Sequence, residues 1–489
     1  MSFSRSSSRC VSSLSLALAV LLGLFLASTT QATVCKVSTS GSYPYLSVAD
    51  ALVGGCNGSD PAGDEILVVC KSGGCTQPPF QVVGRHNLRI SVHGDPTTFE
   101  NPGGGGAIYI EGSTAVTIEG AFDATSVHDP AVWIFKSDVV LKGHPSERYA
   151  SFHAQTDAAL QIVGASHVDL DTIALRESVW GLRTQELYGE GPKITGRQIN
   201  VFGNENAGLI SGGTSDCGDP SAPIERSEVT FDLASDFQPN YVEQNLDGFI
   251  VEGNSILTLR HTILLANLRQ SDVMTDTALL RGRGCGTINA QQILAFDNDP
   301  WSDAGADIGN WWPSGDGAIV KTEEYSNAVI ESSTLVHNQM EFGMWPTTLK
   351  GSITFHASVA DQTGIKGVPC SSGYFFSDGF SSVYGSGLSD YDGCYCNYFG
   401  PVPPPTPICP PSPLNVSVDP GGWDVGSVFA TSPWPALPKE IYRMHHSPFI
   451  DGGPGAASPA LFPTAPWATD HSSGPEVNSS PIDWGYHSF

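Results

Sequence analysis

A short β-prone run that ends on asparagine recurs along the middle of this chain. INVFGN closes on Asn204, TILLAN on Asn267, ILAFDN on Asn298 and STLVHN on Asn338. The runs sit inside longer repeats: GASHVDLDTIAL (164–175), GNSILTLRHTILLAN (253–267), GTINAQQILAFDN (286–298) and SNAVIESSTLVHN (326–338). GSTAVTIEG (112–120) is a truncated copy. In each, a small or polar turn leads into an alternating strand, a two-residue break and a second apolar run. Short strands such as AIYI (107–110), ALQI (159–162), GFIV (248–251) and GAIV (317–320) lie between them.

These runs exclude helix. They are rich in Ile, Val and Thr, alternate with period two and are cut by glycine. The spacing from Asn267 to Asn298 is 31 residues and from Asn298 to Asn338 is 40. Asn204 to Asn267 spans 63, room for two coils. Unequal repeats of this size predict a solenoid with loops of varying length. An all-β right-handed parallel β-helix fits best, each coil adding one strand to each of two or three parallel sheets. Asparagine suits the tight corner because it tolerates left-handed backbone. Stacked asparagines can also bond side chain to side chain as a ladder. The competing role is a row of Asn ligands facing substrate.

The ends differ from the middle. Residues 1–32 have a positive start at Arg5 and Arg9, an apolar LSLALAVLLGLFLA and a small residue at Ala32, the pattern of a cleaved secretory signal. Residues 33–80 are expected to form an N-terminal cap and first coil. There YLSVADALVGG (45–55) has helical spacing and DEILVV (64–69) begins the first strand. The parallel β-helix is placed at 81–365, a Cys/Pro-rich loop segment at 366–413 and a C-terminal end and cap at 414–489.

Eleven cysteines are present, and Cys10 leaves with the signal. The even remainder reads as disulfides in an exported chain, with Cys35, Cys56, Cys70 and Cys75 close enough to pair among themselves. The CYC at 394–396 is spaced too tightly for a usual zinc site. With 23 basic against 50 acidic residues the net charge is −27. That balance sets aside nucleic acid and anionic membranes as partners. No membrane insertion is expected after signal removal. The chain is expected to be secreted or at the cell surface, as a monomer. Asn57, Asn415 and Asn478 sit in N-x-S/T patterns.

A resemblance adds to this. The helix followed by DEILVV resembles the start of secreted right-handed parallel β-helix repeat proteins of the pectin-lyase-like superfamily. HHSPFIDGG (445–453) is similar to the SPAIDAG motif that closes many bacterial surface β-helix proteins. ATDHSSGPEVNSSPIDWGYHSF (468–489) resembles the TDxxGxxR…DIGAYE ending that follows it. The matching positions are Ser447, Pro448, Ile450, Asp451, Gly452, Thr469, Asp470, Gly474, Asp483, Gly485 and Tyr486, while the arginine is missing. Such families bind long polymers along a sheet face, and many cut acidic polysaccharides. The resemblance therefore implies an extracellular polysaccharide as partner.

Two chemistries can be sought. Hydrolysis needs two carboxylates across the bond. QNLDG…RQSD (244–272) is similar in outline to the polygalacturonase stretch NTDG…GDD, with Asn245, Asp247 and Asp272 in the matching places. Leu246 replaces Thr, and the paired aspartate and the later Gly-His-Gly are missing. Coils can bring Asp247 and Asp272 onto one face; the structural alternative is that Asp247 caps a turn before Gly248. Lyase chemistry needs a base and a cation for the uronate carboxylate. LLRGRG (279–284) and LTLRHT (257–262) resemble the LxLRHG stretch of the chondroitinase and alginate lyase family. Arg260 and Arg281 are 21 residues apart, about one short coil, and are expected side by side. Arg260 is a poor base because it stays protonated. His261 can serve as base, but strand alternation points it away from Arg260.

DNDPWSDAGADIGNWW (297–312) brings Asp297, Asp299, Asp303 and Asp307 beside Trp301, Trp311 and Trp312. Such oxygen density suits Ca²⁺, and the tryptophans can stack on sugar rings. The alternative is an acidic solvated loop with core tryptophans. His445 and His446 have no acidic cluster nearby in sequence and read as structural. The expectation is a protein that binds or degrades an extracellular polysaccharide as a lyase or glycoside hydrolase. Its rival is a non-catalytic surface or adhesion protein using the solenoid as a rigid scaffold. Since no complete catalytic signature is present, enzyme status stays open.

Overall fold

The computed structural model describes residues 32–39, 41, 43–56, 63–70, 73–144, 149–212, 226–232, 239–265, 267, 278–296, 298, 318–331, 333–336, 341–344, 351–356, 359–361, 364–366, 373–377, 382–384 and 397–399. Among these, strands dominate and the helix is Val48–Gly54. The strands form two sheets, of 20 and 11 strands, whose pairings are parallel.

The smaller sheet stacks in chain order, from Phe80–Val83 and Ile108–Glu111 through Val132–Phe135, Ala158–Val163, Trp180–Gln185 and Asn206–Ser211. It continues through Asp247–Glu252, Ala278–Gly282, Ala318–Thr322, Glu341–Met344 and Gly364–Lys366. Between one such strand and the next, the chain returns through the larger sheet. The result is an all-β, solenoid-like stack of parallel strands. Short strands at Gly373–Ser377, Ser382–Tyr384 and Asn397–Phe399 extend the larger sheet into the stretch read from sequence as loop.

Inward positions explain the apolar alternation. Phe80, Phe99, Phe122 and Phe152 stack through the core with centroids 5.0, 6.1 and 5.8 Å apart. All four are buried, and each such side chain contributes about 1.5–3 kcal/mol.

The long strands of the larger sheet bend once each. His167–Arg176, Lys193–Phe202, Ile256–Leu265 and Thr287–Phe296 turn at Thr172 (φ 60°), Gln198 (φ 53°), His261 (φ 48°) and Gln292 (φ 52°). The register passes over these residues and resumes beyond them. Each long strand is thus two sheet segments meeting at a corner. Where the segments separate, Glu228–Asp232 and Asn240–Glu243 each pair with one half of the neighbouring strand.

The next corner carries an asparagine ladder. Asn204 Nδ2 donates to Asn245 Oδ1 at 2.9 Å, Asn245 Nδ2 to Asn267 Oδ1 at 3.0 Å and Asn267 Nδ2 to Asn298 Oδ1 at 2.9 Å. The main-chain N–H of each donates to the same oxygen. Ser178 begins the row, its N–H donating to Asn204 Oδ1 at 3.0 Å. All four asparagines are fully buried, which excludes substrate-facing ligands at these positions. The 63-residue gap divides at Asn245 into 41 and 22, the two coils expected. The backbone reason needs correcting. The left-handed residue is the one before the ladder, Glu177 (φ 51°), Gly203 (φ 64°) and Gln244 (φ 55°). Asparagine is chosen for its amide, which donates and accepts along the stack, not for its φ. Asn338 lies outside the described residues.

At the N-terminal end Val48–Gly54 covers the first coil, burying Val48, Ala51 and Leu52, with Ser47 Oγ accepting from Asp50 N–H at 3.0 Å. Ahead of the expected first strand stands another, Thr33–Val37, parallel to Asp64–Cys70. Disulfides join Cys35 to Cys56 and Cys70 to Cys75. Among the described residues, no helix is long and apolar enough to cross a membrane.

Candidate functional site

Asp247 opens the strand Asp247–Glu252 of the smaller sheet. Its Oδ1 accepts N–H groups from Gly248 at 2.8 Å and from Ala278, one coil on, at 3.1 Å. This is the capping role weighed against catalysis. Gly248 is dictated by close approach, since a Cβ there would lie 1.9 Å from Leu279 O. Burial pushes the Asp247 carboxyl above its usual range; the two N–H groups and the nearness of Arg281 and Arg283 pull it back. Asn245, matched to the polygalacturonase outline, is a buried ladder rung instead. Asp272 lies outside the described residues.

Arg260 and Arg281 are not side by side. Arg260 pairs with Gln291 in the larger sheet, whereas Arg281 pairs with Ile250 and Lys321 in the smaller. Sequence separation of one coil failed as a guide because the two residues sit at different phases of the coil. The expected divergence of Arg260 and His261 is also overturned. Arg260 Nη1 lies 3.2 Å from Asp232 Oδ2, and His261 Nδ1 lies 3.1 Å from Asp232 Oδ1. The left-handed φ of His261 breaks the alternation, so both neighbours reach one carboxylate. His261 is buried at this corner. Sequence reasoning missed Asp232.

Arg260 also belongs to a column of alternating charge. Glu119, Lys142, Asp171, Arg197 and Asp232 occupy equivalent positions on successive strands. Lys142 and Arg197 lie 3.6 and 3.9 Å from Asp171. In-register stacking places such positions about 4.8 Å apart, where like charges repel. Alternation removes that repulsion and fixes register. Beyond Arg260 the column continues through Gln291, which accepts from Arg260 Nε at 2.8 Å and donates to Glu331 at 3.0 Å.

Arg281 sits in a second charged group. Its Nη2 is 2.8 Å from Glu323 Oε1, Lys321 Nζ is 3.2 Å from the same oxygen, and Arg283 Nε is 3.2 Å from Glu323 Oε2. Arg283 Nη1 reaches Glu252 at 3.2 Å. Arg281, Lys321 and Glu323 are buried. The acidic loop carrying Asp297, Asp299, Asp303 and Asp307, together with Trp301, Trp311 and Trp312, lies outside the described residues, as do His445, His446 and the C-terminal motif. Among the described residues, no group of three or more His, Cys, Asp or Glu side chains is arranged to hold a metal ion.

A different feature stands out on the exterior of the smaller sheet. Tyr109 and Trp133 are register partners on neighbouring strands, their rings edge to face with centroids 5.5 Å apart. Phe135, two residues after Trp133, shares its face, and all three are partly exposed. Tyr109 Oη donates to Glu111 at 2.9 Å, and burial with this bond pushes the phenol up to about 12. Next to Phe135, Lys136 stands between Gly112 and Gly164 in a row that runs from Gly84 to Glu186, and it shares the left-handed φ of the three glycines. Lys136 (φ 46°) holds Nζ over the Phe135 ring at 5.8 Å and the Tyr188 ring at 5.1 Å. Tyr188 is 87% exposed, at the tip of a turn closed by mutual Leu187–Glu190 main-chain bonds. Gly164 leaves room for this: a Cβ there would sit 3.1 Å from Lys136 Cγ and 3.6 Å from Leu187 Cβ. The sequence signal was AIYI and AVWIF in register with their aromatics on polar-face positions, but register is invisible without the coil lengths.

No family model, no curated protein and no solved structure matches this chain.

Proposed function

We propose that the chain is an exported right-handed parallel β-helix protein that binds an extracellular polysaccharide on the exterior of its smaller sheet. The observation that carries this is the Tyr109–Trp133 pair with Phe135 on a solvent-facing sheet surface. Such positions in a solenoid normally hold polar residues. Flat aromatic rings there offer sugars an apolar face with polar edges. The secretion-like N-terminus and the disulfides support an extracellular setting. Asp247, Arg260, His261 and Arg281 are each engaged in structural contacts, which favours binding over cleavage.

The test is native electrophoresis of the mature protein through gels containing dissolved polysaccharides, with a reducing-end assay and absorbance near 235 nm run in parallel. Retardation by a polymer is expected, reduced about tenfold in affinity by Trp133→Ala, which equals about 1.4 kcal/mol. Retardation of Trp133→Ala equal to that of the parent would place the polymer elsewhere.

The scaffold reading is favoured by a separate observation, the alternating column from Glu119 to Arg260. It spreads charge along the coils in self-neutralised pairs rather than converging it in a groove. Absence of retardation by every polymer tested, with the protein folded, would leave that reading.

A further inference from the structure

Resting on the binding face just described, we infer that its ligand is an uncharged glycan rather than a uronate-containing one, held between the Tyr109–Trp133 pair and the Tyr188 tip. The charge around the rings is the first ground. Arg183 is paired with Asp157 at 3.5 Å. Lys136 is drawn over Phe135 and Tyr188. Glu111 sits beside Tyr109, and Glu186 and Glu190 bracket Tyr188. Three carboxylates against Lys136 leave the surface acidic, on a chain whose net charge is −27. A polyanion would meet repulsion here, while a neutral chain meets none.

The second ground is polar. Trp133 Nε1 and Glu186 Oε2 are shielded from solvent and have no hydrogen-bond partner in the protein. Phenylalanine would fill the Trp133 position without stranding a donor. The third ground is backbone conformation. Lys136 keeps a left-handed φ between Gly112 and Gly164, its glycine neighbours on either side in the row. That position holds its ammonium over Tyr188 and so fixes the exposed ring relative to the sheet face.

Affinity electrophoresis separates the outcomes. The full mature chain is run with neutral polymers (mixed-linkage glucan, xyloglucan, galactomannan) and with acidic ones (polygalacturonate, alginate), each at low and at physiological salt. The inference expects retardation by a neutral polymer, insensitive to salt and weakened about tenfold by Tyr188→Ala. Tyr188 is a solvent-exposed turn residue, so this variant does not threaten folding; retardation by a neutral polymer that is unchanged in Tyr188→Ala would overturn the inference. Retardation by acidic polymers alone, abolished by salt yet still dependent on Tyr188, would overturn the inference and leave the binding face standing. Retardation by none, with circular dichroism showing a folded protein, would overturn the polysaccharide reading itself.

Discussion

Asn245 offers both its side-chain amide and its main-chain N–H to one atom, Asn267 Oδ1, at 3.0 and 3.1 Å. The same geometry links Asn204 to Asn245 and Asn267 to Asn298. A buried corner must satisfy its backbone N–H groups without water. Here the neighbouring coil supplies the acceptor, so each coil is closed by the next.

Asn245→Ala breaks this row at its centre. Two N–H groups of Asn204 lose their acceptor, and the carbonyls of Val201 and Glu243 lose a donor. Each buried group left unpaired costs about 1–3 kcal/mol, so a loss of roughly 3 kcal/mol is expected after partial relaxation. Urea unfolding followed by circular dichroism measures it. A loss under about 1 kcal/mol would mean the ladder is replaceable.

Asp247 makes a prediction about pH. Its folded pKa is raised by burial, only partly offset by Gly248, Ala278, Arg281 and Arg283. A raised folded pKa means its contribution is fully present below the unfolded pKa and is lost as pH rises through the folded value. Asp247→Asn keeps an acceptor for both N–H groups and removes the charge. The variant should be more stable than the parent at neutral pH, with the difference closing below about pH 3.9. A variant less stable at both pH values would show that the carboxylate itself is needed.

Glu323 gathers Arg281, Arg283 and Lys321. Glu323→Gln leaves the buried Arg281 and Lys321 without that charge, with an expected cost of about 3–5 kcal/mol. Replacing the half-buried Glu119 at the start of the charge column, whose partner Arg89 is exposed, should cost under about 1 kcal/mol. Equal losses at the two sites in thermal melts would contradict the burial argument.

Lys136→Gly separates stability from binding. Relief of the left-handed backbone is worth about 1 kcal/mol, and loss of the two cation–ring contacts removes about 0.5–1 kcal/mol. The melting midpoint should barely move while affinity for the glycan falls. If affinity is unchanged, Lys136 does not position Tyr188 for the ligand.

Much of the fold was legible in the chain. Alternating apolar runs forecast parallel strands, because every other residue faces one core. YLSVADALVGG forecast the capping helix, and the first four cysteines paired among themselves. The repeated Asn forecast the ladder. Its fourth described rung, Asn245, was read as part of a catalytic outline because QNLDG lacks the apolar ending of the other repeats.

The sequence by itself determined the strand periodicity, the coil-sized repeats and the chemistry of the corner, since these depend on neighbours along the chain. Tertiary structure alone decided which residues meet across coils. Loops of unequal length decouple sequence distance from stacking, so Arg260 and Arg281 separated into two sheets while Tyr109 and Trp133 came together. One left-handed residue, His261, reversed the facing of its own side chain and delivered it with Arg260 to Asp232. Such a turn is worth only about 1–2 kcal/mol locally, too little to be written in local sequence, and it is fixed by the packing of the coils above and below.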